Sequence, residues 1–393
     1  MKITDIKPRP CPVCGSVDAD TLHRLRLVLF DNHPLDHDCV TVVCNYCGMG
    51  FNRETLQPEA YNRYYAELSK YLVSTSATSP VPRLPECTEI LANLLPRDAA
   101  LLDAGCGSGG VLAALRQRGF TNLAGLDPTP ECIRIIRDEL GIDARVGTLD
   151  ENPFPPATFD LVLSTVVFEH LINPGDDVDR MAALLKPEGM AFILVPDATR
   201  YEEFMVSPFQ DVNVEHINHF SPNTLDQLFE ARGWERLDAG NAVFTLTPTW
   251  QSTLIWGLYR KGGTARYSVD ADQALRKGLA DYFSKSEKML VDMMARLQDD
   301  LEGVDEVMLW GAGHLTSLLL AHGGLKGKRV KAIIDSNPNF AGRTLSGAAV
   351  GGYELRGDFG GPVVVATVRE QDSVVSKIES LGWPNRIVRL RAQ

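Results

Sequence analysis

A chain of 393 residues exceeds one ordinary core, so two or three domains are expected. With 44% apolar and 23% charged residues the composition is that of a folded globular protein; no apolar run is long enough to span a bilayer, and no signal pattern precedes Cys11. A net charge of −12 argues against a nucleic-acid partner, and eight cysteines without a secretory leader point to a reducing cytoplasm and to thiol or metal chemistry instead of disulfides.

Residues 1–75 read as a metal-binding module. Cys11-Pro-Val-Cys14-Gly15 and Cys44-Asn-Tyr-Cys47-Gly48 are matched C-x2-C knuckles, each followed by a glycine that lets the turn close on its thiolates. Four sulfurs suit tetrahedral zinc, and a closed set of four protein ligands makes the ion structural. Strands over 21–30 and 39–43 fill the interval between the knuckles. Cys39, His33 and His37 in that interval read as packing or solvated residues. Tyr61, Tyr64, Tyr65 and Tyr71 follow and are expected to pack the module on the next domain, with one of them a candidate cover for a cofactor.

Residues 76–245 form the second predicted domain, reached through a linker marked by Pro80, Pro82 and Pro85. An apolar strand over 99–102 runs into Asp103-Ala-Gly105-Cys-Gly107-Ser-Gly109, and a helix from Val111 closes at Gly119. The glycines let the backbone approach a ligand, which meets N–H groups at the helix N-terminus. A second strand over 122–126 ends in Asp127, about 20 residues on, where an acid accepts from ribose hydroxyls. Thr129-Pro130-Glu131 opens a helix, with Thr129 as its N-cap. Asp143–Val146 is a third strand leading to Leu149, and a fourth over 159–164 ends at Ser164. A fifth covers 190–195. With the acid before the glycines, this pattern resembles motif I of the class I S-adenosylmethionine (SAM) methyltransferases, not a dinucleotide fingerprint. The resemblance assigns Asp103, Gly105, Gly107, Gly109, Asp127, Leu149 and Ser164 to SAM.

Two histidine-bearing stretches follow the cofactor motif. Phe168-Glu169-His170 leaves the fourth strand at the carboxyl end of the sheet, where ligands of open α/β sheets collect. Asn213-Val-Glu215-His216-Ile-Asn218-His219-Phe220 precedes Ser221-Pro222, the N-cap and first position of a helix to Gly233. A histidine beside a carboxylate at a helix entrance suits a general base, which makes His216, Glu215 and His170 the catalytic candidates.

Residues 246–393 form the third predicted domain. A long amphipathic helix spans 270–301. A strand over 306–310, Gly311-Ala-Gly313, a helix, and a strand ending at Asp335 imitate a dinucleotide site, but Thr316 replaces the third glycine. The expectation is a Rossmann-like domain that walls the substrate cleft, with further strands over 363–367 and 386–390.

Zinc module, SAM domain and smaller Rossmann-like domain, in that order, resemble the sugar C-methyltransferases that modify nucleotide-linked deoxysugars. That family implies an α/β architecture of three parts, SAM and structural zinc as cofactors, and a small-molecule partner. It also implies a Tyr-x-Glu-His segment followed by Tyr-Phe-Ser. Glu215-His216 and Phe220-Ser221 match, whereas the tyrosine positions hold Asn213 and His219. In the implied chemistry His216 removes a proton next to a keto group, Glu215 orients it, and Asn213, Asn218 or His219 donates to the enolate oxygen. Alternatives are a small-molecule O- or N-methyltransferase, an RNA methyltransferase whose zinc module grips nucleic acid, and a SAM-binding protein that does not methylate.

Overall fold

Residues 100–104 alternate between two apolar layers. Leu101 shares a core with Leu112, Leu161 and Leu163, while Leu102 and Ala104 share one with Val162, Ile193 and Val195. A strand buried on both faces belongs to a parallel sheet covered by helices. The computed structural model describes residues 6–68, 85–151, 153–247, 250–266 and 271–391. Tyr71, Pro80, Pro82 and Asp270 lie outside them. The chain divides into two units, one built from residues up to 22, 40–204 and 215–279, the other from 23–39, 205–214 and 280 onward.

The cysteine-bearing segment holds β1 (Ala19–Leu25), β2 (Cys39–Cys44), β3 (Gly50–Asn52) and α1 (Pro58–Glu67), with His23–Leu25 of β1 and Cys39 of β2 counted to the second unit. Then come α2 (Pro85–Leu94), β4 (Ala100–Ala104), α3 (Gly110–Gln117), β5 (Asn122–Asp127), α4 (Pro130–Ile135), β6 (Asp143–Val146), β7 (Phe159–Thr165), α5 (Pro174–Leu184) and β8 (Leu185–Pro196). The first unit continues with β9 (Asn218–His219), α6 (Pro222–Glu230), β10 (Trp234–Thr247) and β11 (Trp250–Lys261). Among the described residues, seven strands form one sheet in the order β10-β11-β8-β7-β4-β5-β6. Pairing is parallel from β8 to β6, and β11 runs antiparallel to both β8 and β10. The order reverses between β4 and β7, which opens a crevice at their carboxyl ends.

The long hairpin β10–β11 is absent from the sequence expectation, and it carries the sheet past residue 245. Thr129 precedes α4 without capping it; its side chain makes no cap bond and its N–H goes to Asp127 instead. Ser221 does cap α6, in a capping box with Thr224. A smaller sheet of order β9-β3-β2-β1 joins the cysteine module to the loop before α6, because Asn218 and His219 pair with Phe51 and Gly50.

In the second unit, β12 (Glu306–Trp310), α8 (His314–Ala321), β13 (Arg329–Ile334), β14 (Thr344–Leu345), β15 (Ala348–Gly351), β16 (Val363–Val365), α9 (Gln371–Ser380) and β17 (Ile387–Arg389) follow the 28-residue helix α7 (Gln273–Asp300), whose residues up to Leu279 belong to the first unit. The described strands form a sheet of order β14-β15-β13-β12-β16-β17, parallel except for β14 against β15. Among the described residues no helix is long and apolar enough to cross a membrane.

Candidate active site

The cofactor side of the site is a turn held open by backbone geometry. Gly105, Gly107 and Gly109 adopt φ of 85°, 49° and 88°, a region that side chains resist. A Cβ on Gly105 would stand 2.4 Å from the Val167 side chain and one on Gly109 2.7 Å from Ile136, whereas Gly107 faces open space. The Gly107 N–H donates to Asp127 Oδ2 at 2.9 Å and the Thr129 N–H to Oδ1 at 2.9 Å. Asp127 therefore holds the turn with its lone pairs while remaining able to accept more.

Asp103 is 1% exposed, and its Oδ1 has no hydrogen-bond partner among the described residues. Burial, and then the charge of Asp127, push its pKa up to about 7. A buried acid without compensation fits a ligand that brings positive charge, as SAM does. Leu149 is buried in the core. The Ser164 hydroxyl donates to the Ala104 carbonyl at 2.9 Å and so ties β7 to β4, which leaves its lone pairs as acceptors.

The reactive side lies just beyond β7. Val166 has φ of 59°, a strained conformation for a β-branched residue, and turns the chain into the short helix Phe168–His170. The Glu169 carbonyl accepts from the Ile217 N–H at 2.8 Å, which brings in the second histidine stretch. The His170 and His216 rings then stand 4.8 Å apart at 77°. His170 Nδ1 donates to the Glu215 carbonyl at 3.1 Å. The Tyr64 hydroxyl donates to Glu215 Oε1 at 2.7 Å, and the Tyr65 ring meets His170 edge-on at 6.2 Å. Phenols from α1 thus reach the cluster although positions 213 and 219 carry none.

Two expected enolate donors are corrected. The Asn218 amide donates to the Phe168 and Leu171 carbonyls at 2.8 and 2.7 Å and its oxygen accepts from Arg9 at 2.8 Å, a fully buried structural role. His219 is 0% exposed; burial and the nearby Arg9 push its pKa down to about 3, which keeps the ring neutral inside the core. Asn213 is half-buried in the loop. Arg9 was not foreseen: buried, it donates to the carbonyls of Asn52, Ile172 and Ile217. A lone arginine before a cysteine knuckle carries no local signal for that role.

The sulfurs of Cys11, Cys14, Cys44 and Cys47 all lie within 4.8 Å of one another, with Cys11–Cys47 and Cys14–Cys44 at 3.5 Å. Thiolates on one zinc stand about 3.8 Å apart, so the four residues fit that ion. Gly15 and Gly48, at φ of 75° and 81°, donate to the Cys11 and Cys44 carbonyls and close the two knuckles. Cys39 is buried outside the cluster.

Residues 82–239 match the family described as methyltransferase domain. Over those residues the chain carries a methyltransferase domain. Its sheet is the parallel-rich one described above. The chain is 32% identical over 127 residues to a ubiquinone biosynthesis O-methyltransferase of Methylocella silvestris, covering 31% of this chain and 48% of that one. It is 25% identical over 217 residues to the C-methyltransferase NovU of Streptomyces niveus, covering 53% and 48%. A solved structure from work on disulfide-to-thioacetal conversion in echinomycin biosynthesis aligns at 20% identity with a TM-score of 0.41, over 52% of this chain and 91% of that one. The chain spans about half the length of the curated relatives it matches.

Proposed function

We propose that the protein transfers the methyl group of SAM to a carbon beside a carbonyl in a small molecule, a nucleotide-linked keto-deoxysugar or a related compound. The observation that carries this reading is the contact between the cofactor turn and the histidine cluster: Val167, three residues before His170, sits against Gly105. The likeness to NovU, which extends over 217 residues, supports carbon as the acceptor. The likeness to an O-methyltransferase, over 127 residues, favours a second reading in which the same base serves a hydroxyl.

SAM, when bound, supplies an electrophilic methyl on a cationic sulfur. Asp103, Gly105, Gly107, Gly109, Asp127 and Leu149 would hold it. His216 takes the proton from the acceptor carbon. Glu215, with the Tyr64 hydroxyl on its carboxylate, fixes the segment that bears His216. Tyr65, beside His170, is the phenol we assign as donor to the developing enolate oxygen, since the Asn218 amide is engaged elsewhere and His219 is shut inside the core. We read the thiolate cluster as a structural zinc site that anchors the loop 215–219 through the pairing of β3 with β9.

The test is methyl transfer from labelled SAM to a panel of nucleotide-linked 4-keto-6-deoxysugars in D2O, read by mass spectrometry and NMR. Methyl on carbon is expected, with His216→Ala losing about 10²–10⁴-fold in rate together with deuterium exchange at that carbon. Methyl on a heteroatom would overturn the carbon assignment. No transfer to any sugar while SAM still binds would overturn the sugar class.

A further inference from the structure

The short helix Phe168–His170 and the loop before β9 also bring three metal-competent side chains together. One ligand atom each from Glu169, His170 and His216 lies within 4.8 Å of the other two. His170 Nε2 stands 3.8 Å from Glu169 Oε1, too far for a hydrogen bond. The other nitrogen, Nδ1, is 3.1 Å from the Glu215 carbonyl. A carbonyl only accepts, so Nδ1 carries the proton, and Nε2 is the ring atom that can bind a metal. A cation between Nε2 and the Glu169 carboxylate would take a donor atom from each.

The surrounding frame is built in the same sense. Metal-binding histidines are oriented by donating their second nitrogen to a carbonyl or carboxylate, which is what His170 does. Glu169 is 1% exposed and its backbone is pinned by Ile217, while the Asn218 amide fixes the carbonyls on either side, Phe168 and Leu171. Two imidazoles and one carboxylate suit zinc, cobalt, nickel or iron, and not magnesium or calcium. Ligands on one such ion stand about 3.3 Å apart, so small side-chain rotations complete the site.

We propose that Glu169, His170 and His216 bind a divalent first-row transition-metal ion, separate from the thiolate zinc, and that this ion inhibits methyl transfer. The binding stands on the geometry alone. The inhibition rests on the reading of His216 as base: the lone pair that would accept the substrate proton forms the bond to the metal instead, so an occupied site has no base.

The experiment titrates Co2+ into full-length protein whose thiolate site is already filled with one equivalent of zinc. The expected result is a further equivalent of cobalt with visible d–d bands and no thiolate charge-transfer band. It weakens about 100-fold in His170→Ala and in Glu169→Gln, with circular dichroism and SAM binding as checks of folding. No cobalt bound beyond the thiolate site at millimolar concentration, or binding undiminished in both variants, would overturn the site. Methyl transfer that falls in step with cobalt occupancy supports the inhibition. Full activity at full occupancy would overturn the inhibition and the role of His216 as base, and leave the metal site standing. The spectroscopic titration reads the site even if no acceptor is methylated.

Discussion

At the end of β4 the Gly105 N–H donates to the Leu126 carbonyl at 2.7 Å; at the end of β12 the Gly311 N–H donates to the Ile334 carbonyl at 2.7 Å. Asp127 accepts from Gly107 and Thr129, both at 2.9 Å, and Asp335 accepts from Ala312 and Asn337, both at 2.8 Å. Two glycine turns in two units therefore use one device, an acid at the tip of the second strand that clamps the turn of the first. That device is a way of folding a strand–turn–helix, so glycines plus an acid say little about ligands. The turns differ two residues before the first glycine. Asp103 occupies that place in one and Leu309 in the other, both buried. The second turn instead starts its helix with His314, which burial and the nearby Arg369 push down to about 4 and so keep neutral. A buried acid has no structural return of its own, and under the proposed function it marks the turn that would take a cationic ligand.

Exchanging that one position should break the comparison. Leu309→Asp places an uncompensated charge in a packed turn and should destabilise the second unit by about 3–5 kcal/mol, seen as an early transition in thermal unfolding. Asp103→Leu should do the opposite, raising the melting temperature while weakening SAM binding by about tenfold or more in calorimetry, since each factor of ten is about 1.4 kcal/mol. If SAM binds the leucine variant as tightly as wild type, Asp103 is not the marker argued here. The clamps themselves should sharpen the contrast. Asp127→Asn and Asp335→Asn each weaken two charge-assisted bonds and should cost about 1–2 kcal/mol, but only Asp127→Asn should lower SAM affinity.

Much of both units was legible because their strands are short apolar runs stopped by glycine or aspartate. Asp143–Val146 and Glu306–Trp310 carry the bounds that the pattern gave them. The hairpin β10–β11 was missed because Trp234–Lys261 mixes charged, small and aromatic residues, and only its pairing against β8 makes a strand of it. At the site, the residue types were readable and the partners were not. Glu215 and His216 announce chemistry, but the Tyr64 hydroxyl on Glu215 comes from 151 residues upstream. Asn218 and Ser164 look like donors to a ligand in a linear reading; each is engaged by backbone carbonyls that only the fold brings near.

A slope of stability with pH tests Asp103 without a ligand. Its carboxyl titrates near 3.8 when unfolded and at about 7 when folded. Because the folded pKa is raised, the contribution is fully present below about pH 4 and is lost as pH rises through 7, with a limiting slope of about 1.4 kcal/mol per pH unit. His219 acts with the opposite sign: its folded pKa is lowered from 6.5 to about 3, so stability is lost as pH falls below 6.5. Asp127 is also raised by burial and slopes with Asp103. The wild-type curve is therefore a sum in which these terms partly cancel, and the difference between wild type and Asp103→Leu isolates the one in question. That difference should change steadily between pH 4 and pH 7 in the apo protein. With saturating SAM it should flatten, because a cation beside the carboxylate favours its ionised form and draws the folded pKa back toward 3.8. A difference that is flat without SAM would mean that Asp103 finds compensation in the protein itself, and the distinction between the two turns would then lie elsewhere.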